Sequence, residues 1–130
     1  MRDNELYFRH KTPGTDEWFR IEQTHSGFFG KGSRVILCNS QPTEFTGDPV
    51  TKVEVNAGVT FSGSGEFAIR VMDASGIWVL YRNVFPGTPT EDPSGVDDWN
   101  LPRTELPPGT QGFKLWVRNG TGWLDFRAIP

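Results

Sequence analysis

The sequence is poor in the residues from which small proteins build covalent or metal cross-links. Among its 130 residues there is one cysteine, Cys38, and there are two histidines, His10 and His25. A single cysteine excludes an intrachain disulfide, and Cys38 ends an apolar stretch, so we expect a small buried side chain there. The isolated histidines match neither the ligand spacing of a zinc site nor a Ser-His-Asp arrangement. Stability must therefore come from a hydrophobic core, for which the chain is long enough.

Long apolar runs and an excess of positive charge are also missing. No stretch is long enough to span a bilayer, and no secretory signal or lipidation motif is evident. We therefore expect no membrane partner, and either a cytoplasmic protein or a module excised from an extracellular one. The formal net charge of −3 argues against a nucleic-acid partner held by a basic surface.

Helical periodicity is the third absence, and it indicates the fold class. The 15 glycines and 10 prolines are spread along the chain as turn punctuation, and the segments between them alternate apolar and polar residues. This pattern predicts an all-β protein, an antiparallel β-sandwich of the jelly-roll type, as a single domain over residues 1–130.

The chain ends in the clearest alternation. Apolar side chains at 113, 115 and 117, and again at 124, 126 and 128, share one face of two strands, whereas Trp116 and Trp123 point outward. The loop Asn119-Gly-Thr-Gly between them predicts a hairpin turn.

Other alternating segments predict further strands. Residues 5–11 and 17–24 are expected to form an opening hairpin, and three short strands are expected at 50–56, 59–62 and 66–73. The segment 77–83 is apolar on both faces, which predicts a central strand covered on both sides.

A long irregular segment, 86–109, carries the candidate site. Its carboxylates include Asp97 and Asp98, and Trp99 and Asn100 follow them. Trp99 either anchors this loop to the core or offers a flat face to a ligand. The carboxylates suit calcium, although the ordered pattern of a calcium loop is missing. They could also form an acid–base pair of a glycosidase, but no catalytic motif is present.

Part of the C-terminal third resembles a known family. Trp99, Leu106-Pro-Pro-Gly-Thr110, the strand 113–118, Asn119-Gly-Thr-Gly122 and the strand 123–129 resemble the closing segment of galactose-binding-like jelly-roll carbohydrate-binding modules, of the family-six and family-thirty-five type. The resemblance implies that Trp99 stacks on a sugar and that Asn119 hydrogen-bonds it.

The leading hypothesis is a non-catalytic carbohydrate-binding module. Its ligand-binding residues would be Trp99, Asp97, Asp98, Asn100, Arg103, Asn119 and Trp123. The alternative is a protein-interaction or assembly module, for example in a phage or bacterial surface structure, that is oligomeric through outward tryptophans such as Trp116 and Trp123. A small carboxylate-dependent hydrolase or isomerase is a third hypothesis.

Overall fold

The structure, a computed structural model, describes residues 16–37 and 50–130 in full and residues 4–9 as backbone. Cys38 and His10 lie outside the described residues. Within the described ranges there are seven strands and no helix: β1 (Asn4–Arg9), β2 (Trp18–His25), β3 (Lys31–Ile36), β4 (Lys52–Met72), β5 (Trp78–Val84), β6 (Trp99–Glu105) and β7 (Gly112–Ile129). The predicted all-β fold is confirmed, and no helix in the described part of the chain could cross a membrane.

The strands form one hydrogen-bonded sheet organised around its two longest members. Its order is β1-β3-β7-β4-β5, with β2 also paired to β7 and β6 also paired to β4. β4 and β7 run antiparallel along nearly their whole lengths, from the pair Lys52–Ile129 to the pair Met72–Gly112. The other ladders are antiparallel too, apart from the parallel pair of β1 and β3.

Both long strands bend in the middle, and the sheet folds over on itself. Phe113 and Phe126 stand thirteen positions apart on β7, yet their ring centroids are 4.9 Å apart. A straight strand would separate them by roughly 43 Å. The two halves of the sheet therefore face each other, although β4 and β7 run through both of them and hold them in one sheet.

The closing hairpin predicted from the sequence is instead the bent strand β7. Asn119, at a positive φ of 49°, lies at the bend, and the residues after it pair onward with β2 and β4. Residues that tolerate positive φ serve a bend within a paired strand as well as a turn. The predicted faces were nevertheless right, because 113, 115, 117, 124, 126 and 128 are all buried.

Three other strand predictions also require correction. The three short strands expected between residues 50 and 73 form the single strand β4, with a register shift between Phe61 and Glu66 at its bend. β1 and β2 form no hairpin, because β1 pairs with β3 and β2 pairs with β7. β5 is an edge strand, and among the described residues it pairs only with β4.

The core fills the space between the two halves of the sheet. Aromatic rings join the halves: Phe113 packs edge-on against Phe126, and Phe67 packs edge-on against Trp99. Around these rings lie fully buried aliphatic side chains, among them Val35, Val55, Val59, Ile69, Leu101, Leu115 and Leu124.

Candidate functional site

Trp99 begins β6 and lies in the core. Its side chain is 1% exposed, and its ring meets Phe67 edge-on with 6.3 Å between centroids. A stacking residue needs an open indole face, and Trp99 has none in this structure. The expectation that Trp99 is the sugar platform is therefore corrected, and the alternative reading of Trp99 as the anchor of the long loop holds.

Asp97 is the centre of a hydrogen-bond cluster that joins three elements. Its Oδ1 accepts a hydrogen bond from the Thr60 hydroxyl at 2.9 Å. Its Oδ2 accepts one from the Trp123 indole Nε1 at 2.8 Å and a longer one from Asn100 Nδ2 at 3.4 Å. The carboxylate thus fastens the long loop to the outer face of β4 and β7.

Asp98 and Asn100 complete this attachment. Asp98 Oδ2 accepts from the Phe61 backbone N–H at 2.9 Å. Asn100 is 5% exposed; its carbonyl accepts from the backbone N–H groups of Glu91 and Asp92, and its side-chain Oδ1 accepts from Asp97 N. Hydrogen bonds from the backbone and side chains at both ends of segment 91–100 therefore hold it in place.

Trp123 lies across the outer face with both its polar and its aromatic groups engaged. The guanidinium of Arg20 stacks on its ring at 4.3 Å from the centroid, and a Cβ built on Gly58 would stand only 2.7 Å from the ring. Asp125 holds Arg20 through two hydrogen bonds of 2.7 and 3.1 Å, and this pairing raises the pKa of Arg20 above its usual range. The indole is thus part of a closed surface network.

Arg103 and Asn119 do not join this cluster. The Arg103 guanidinium lies 5.1 Å from the centroid of the Trp18 ring. Asn119 donates from Nδ2 to the Ser64 carbonyl at 2.7 Å, which ties the bend of β7 to the bend of β4. Of the seven residues predicted to bind a ligand, the structure therefore brings four together, namely Asp97, Asp98, Asn100 and Trp123.

The cluster shows no assembled metal site. Among the residues that the structure describes, no group of three or more His, Cys, Asp or Glu side chains could hold a metal ion. The calcium ligands considered from the loop sequence are thus not brought together there. The cluster's carboxylates accept hydrogen bonds from neighbouring protein groups, and these bonds hold the long loop against β4 and β7.

A different surface, at the edge of the sheet, carries unpaired apolar side chains. Ile77 is 59% exposed, Val79 40%, Leu80 53% and Phe85 45%. We call residues 77–85 the β5 edge. The sequence contained the signal, since 77–81 is continuously apolar, but apolar residues on both faces also fit a covered central strand. Strand order is decided by long-range pairing, which the local pattern does not contain.

A second exposed apolar feature is the loop between β2 and β3. Phe28 is 79% exposed and Phe29 is 61% exposed. The loop is held at both ends: Gly27 N donates to the His25 ring Nδ1 at 3.0 Å, and Gly30 lies so close to Trp116 that an added Cβ would clash with the indole. The two phenylalanines therefore project from a fixed base.

Comparison with known proteins gives little. No family model matches the chain, and no curated protein sequence matches it either. The structure is similar to that of PliG from Aeromonas hydrophila, a periplasmic lysozyme inhibitor of g-type lysozyme, with a TM-score of 0.45 and 8% identity over 98% of this chain and 99% of that one. A likeness this faint carries no functional assignment.

Proposed function

We propose that this protein is an interaction module that binds another protein chain through the β5 edge. One observation carries the proposal: four of the seven large apolar side chains that stand exposed in the described part of the chain belong to residues 77–85. Val79 and Leu80 lie on β5, and Ile77 and Phe85 flank its two ends. The outer side of β5 pairs with none of the described strands.

Such an edge is costly to leave uncovered. An unpaired edge strand presents backbone N–H and C=O groups that can template another strand, and soluble proteins usually protect such edges with charges, prolines or bulges. From Ile77 to Tyr81 there is no charge and no proline, and the bulge in the pairing of β5 with β4 lies only at the far end of this segment, beside Tyr81. Burying apolar area stabilises a complex by about 25 cal/mol per Å². A partner strand that paired with β5 would be stabilised by this burial and by backbone hydrogen bonds.

Site-specific photo-crosslinking tests the proposal. A photo-reactive amino acid replaces Leu80 in the protein expressed in its own cells, and a matched protein carries it at Val96, which is 97% exposed in the long loop. We expect a defined protein adduct from position 80 and none from position 96, with the partner identified by mass spectrometry. Equal or absent crosslinking at the two positions would reject the β5 edge as a binding surface.

Carbohydrate binding is a second candidate, favoured by the convergence of Asp97, Asp98 and Trp123 beside a row of hydroxyls. Thr24 and Thr121 lie 3.0 Å apart, oxygen to oxygen, and Thr60 is next in the row, opposite Thr121 on β4. Hydroxyls and carboxylates beside an indole are groups that can orient a sugar.

A glycan array distinguishes this candidate from the first. Sugar binding by the purified protein that is lost in Thr60→Val and kept in Leu80→Lys would favour the hydroxyl row. An array without binding would remove carbohydrate from consideration and leave the prediction for the β5 edge unaffected.

A further inference from the structure

We infer that the partner of the β5 edge is a second copy of this chain, bound antiparallel about a two-fold axis through Val79. This inference rests on the proposed function and names the occupant of the same surface. The two copies would form one continuous sheet across the paired β5 strands.

The segment from Ile77 to Tyr81 is complementary to itself in this register. A two-fold axis at Val79 places Val79 opposite Val79, Trp78 opposite Leu80, and Ile77 opposite Tyr81, so that every facing pair is apolar. Aromatic–aliphatic and β-branched pairs are among the cross-strand contacts that stabilise antiparallel ladders.

The faces of these side chains also agree with the register. Within the sheet, Trp78 pairs with Met72 and Leu80 pairs with Arg70, whereas Val79 pairs with the buried Val71. Trp78 and Leu80 therefore share the outer face, and Val79 lies on the inner one. The axis at Val79 matches outer side chains with outer side chains, as an antiparallel ladder requires.

A bulge ends the self-matching segment at Tyr81. The register of the β4–β5 pairing shifts by one residue between Ile69 and Arg70. Leu80 therefore lies opposite Arg70 on the outer face, whereas Arg82 lies opposite Ile69 on the inner face. Arg82 is also held by Glu91 through hydrogen bonds of 2.7 and 3.1 Å. The pairing between the two β5 strands thus ends at Tyr81, and the charge of the neighbouring Arg82 is balanced by Glu91.

Electrostatic repulsion between the copies is weak in this arrangement. At the other end of the segment, Asp73 accepts hydrogen bonds from the N–H groups of Ser75 and Ile77 in its own turn. The Arg70 side chains of the two copies would stand three strand spacings apart, roughly 14 Å, which exceeds the screening length of about 8 Å at physiological salt.

The interface between the two copies is small, so the dimer should dissociate readily. A standard specific interface has roughly 20–30 residues from each partner, and a contact of only five residues from each copy is weak and transient. Dimer formation should therefore depend on protein concentration, and the experiment has to trap the pair.

Engineered cysteines test the register. In a Cys38→Ser background, Val79→Cys would place two thiols directly opposite each other, where the Cα atoms of facing residues are about 4.5–5.5 Å apart and within disulfide reach. Leu80→Cys is the matched control, because its two copies would be separated by roughly 8 Å between Cα atoms, beyond that reach. Both positions are edge residues with exposed side chains, so both variants should fold.

Oxidation at high protein concentration should convert Val79→Cys to a covalent dimer at least tenfold faster than Leu80→Cys. Sedimentation of the unmodified protein should show a dimer that disappears in Leu80→Lys. A protein that stays monomeric at all concentrations, or equal oxidation rates at the two positions, would overturn the inference. If photo-crosslinking at position 80 then captured a different protein, the proposed function would stand and only the second copy would be excluded.

Discussion

At the scale of single residues, Asp97 shows how a cluster predicted to bind a ligand serves the fold. It receives hydrogen bonds from Thr60, Trp123 and Asn100. Hydrogen bonds to a charged group make a net contribution to stability of about 1.5–3 kcal/mol each. We predict that Asp97→Ala lowers the free energy of unfolding by about 2 kcal/mol, measured by urea denaturation.

Asp98→Ala is the control for that prediction. Asp98 is exposed, and its carboxylate accepts a hydrogen bond from the backbone N–H of Phe61, so its loss should cost less than about 1 kcal/mol. An equal loss in the two variants would show that Asp97 has no special fastening role.

Tyr81 gives a prediction about alkaline pH. Burial raises the pKa of its hydroxyl above the ordinary value, and neighbouring Glu91 adds to the rise whereas Arg82 opposes it. The folded protein therefore holds the Tyr81 proton more tightly than the unfolded chain does. The stabilisation is complete below the unfolded pKa of about 10, and it is lost as pH rises through the folded value.

Unfolding measurements from neutral to strongly alkaline pH test this. The unmodified protein should lose stability above about pH 10, and Tyr81→Phe should lose less over the same interval. Parallel curves for the two proteins would mean that Tyr81 does not contribute to the alkaline transition.

At the scale of strands, the bends in β4 and β7 could not be predicted from the sequence. The alternation identified which side chains face the core, because side-chain direction follows from period two alone. It did not show that Gly63-Ser-Gly and Asn119-Gly-Thr-Gly bend continuous strands, because glycine and asparagine permit turns and bends equally. Pairing partners such as β1 with β3 depend on contacts between distant segments, which no local pattern contains.

Beside the bend of β7, Gly122 leaves room for a ring of the core. A Cβ at Gly122 would stand 2.4 Å from the ring of Phe67, which is fully buried. We predict that Gly122→Ala destabilises the protein by about 1–3 kcal/mol through overpacking, measured by thermal or urea unfolding.

Ser62→Ala, on the exposed side of β4, provides the comparison and should change stability by less than about 0.5 kcal/mol. If Gly122→Ala were as mild, the contact between the bend and Phe67 would not limit the packing of the two halves.

At the scale of the whole molecule, Trp99 and its neighbours hold the two halves of the sheet together. Removing a buried tryptophan costs about 3–5 kcal/mol, and domains of this kind have a total stability of about 5–15 kcal/mol. We predict that Trp99→Ala is strongly destabilised or unfolded, whereas Trp78→Ala, at a half-buried position on the outer face, loses much less. A folded Trp99→Ala with nearly normal stability would contradict the core role of Trp99.

The candidate site was predictable only in part, for a related reason. The sequence grouped Asp97, Asp98, Asn100 and Trp123, and these do meet. Whether a tryptophan lies in the core or on the surface depends on which strands cover it. The sequence alone therefore does not distinguish a core anchor from a ligand-stacking platform at Trp99. The apolar residues on both faces of segment 77–83 predict a central strand, because the sequence contains nothing that distinguishes the centre of a sheet from its edge.

The partner that we propose for the β5 edge is a second copy of this chain. Hydrogen exchange measured by mass spectrometry on dilute and concentrated protein tests it most directly. We expect the peptide covering residues 77–85 to exchange more slowly at high concentration, while exchange in the Phe28–Phe29 loop and in the segment around Val96 is unchanged. Concentration-dependent protection of the Phe28–Phe29 loop instead, or no protection at any concentration, would contradict it.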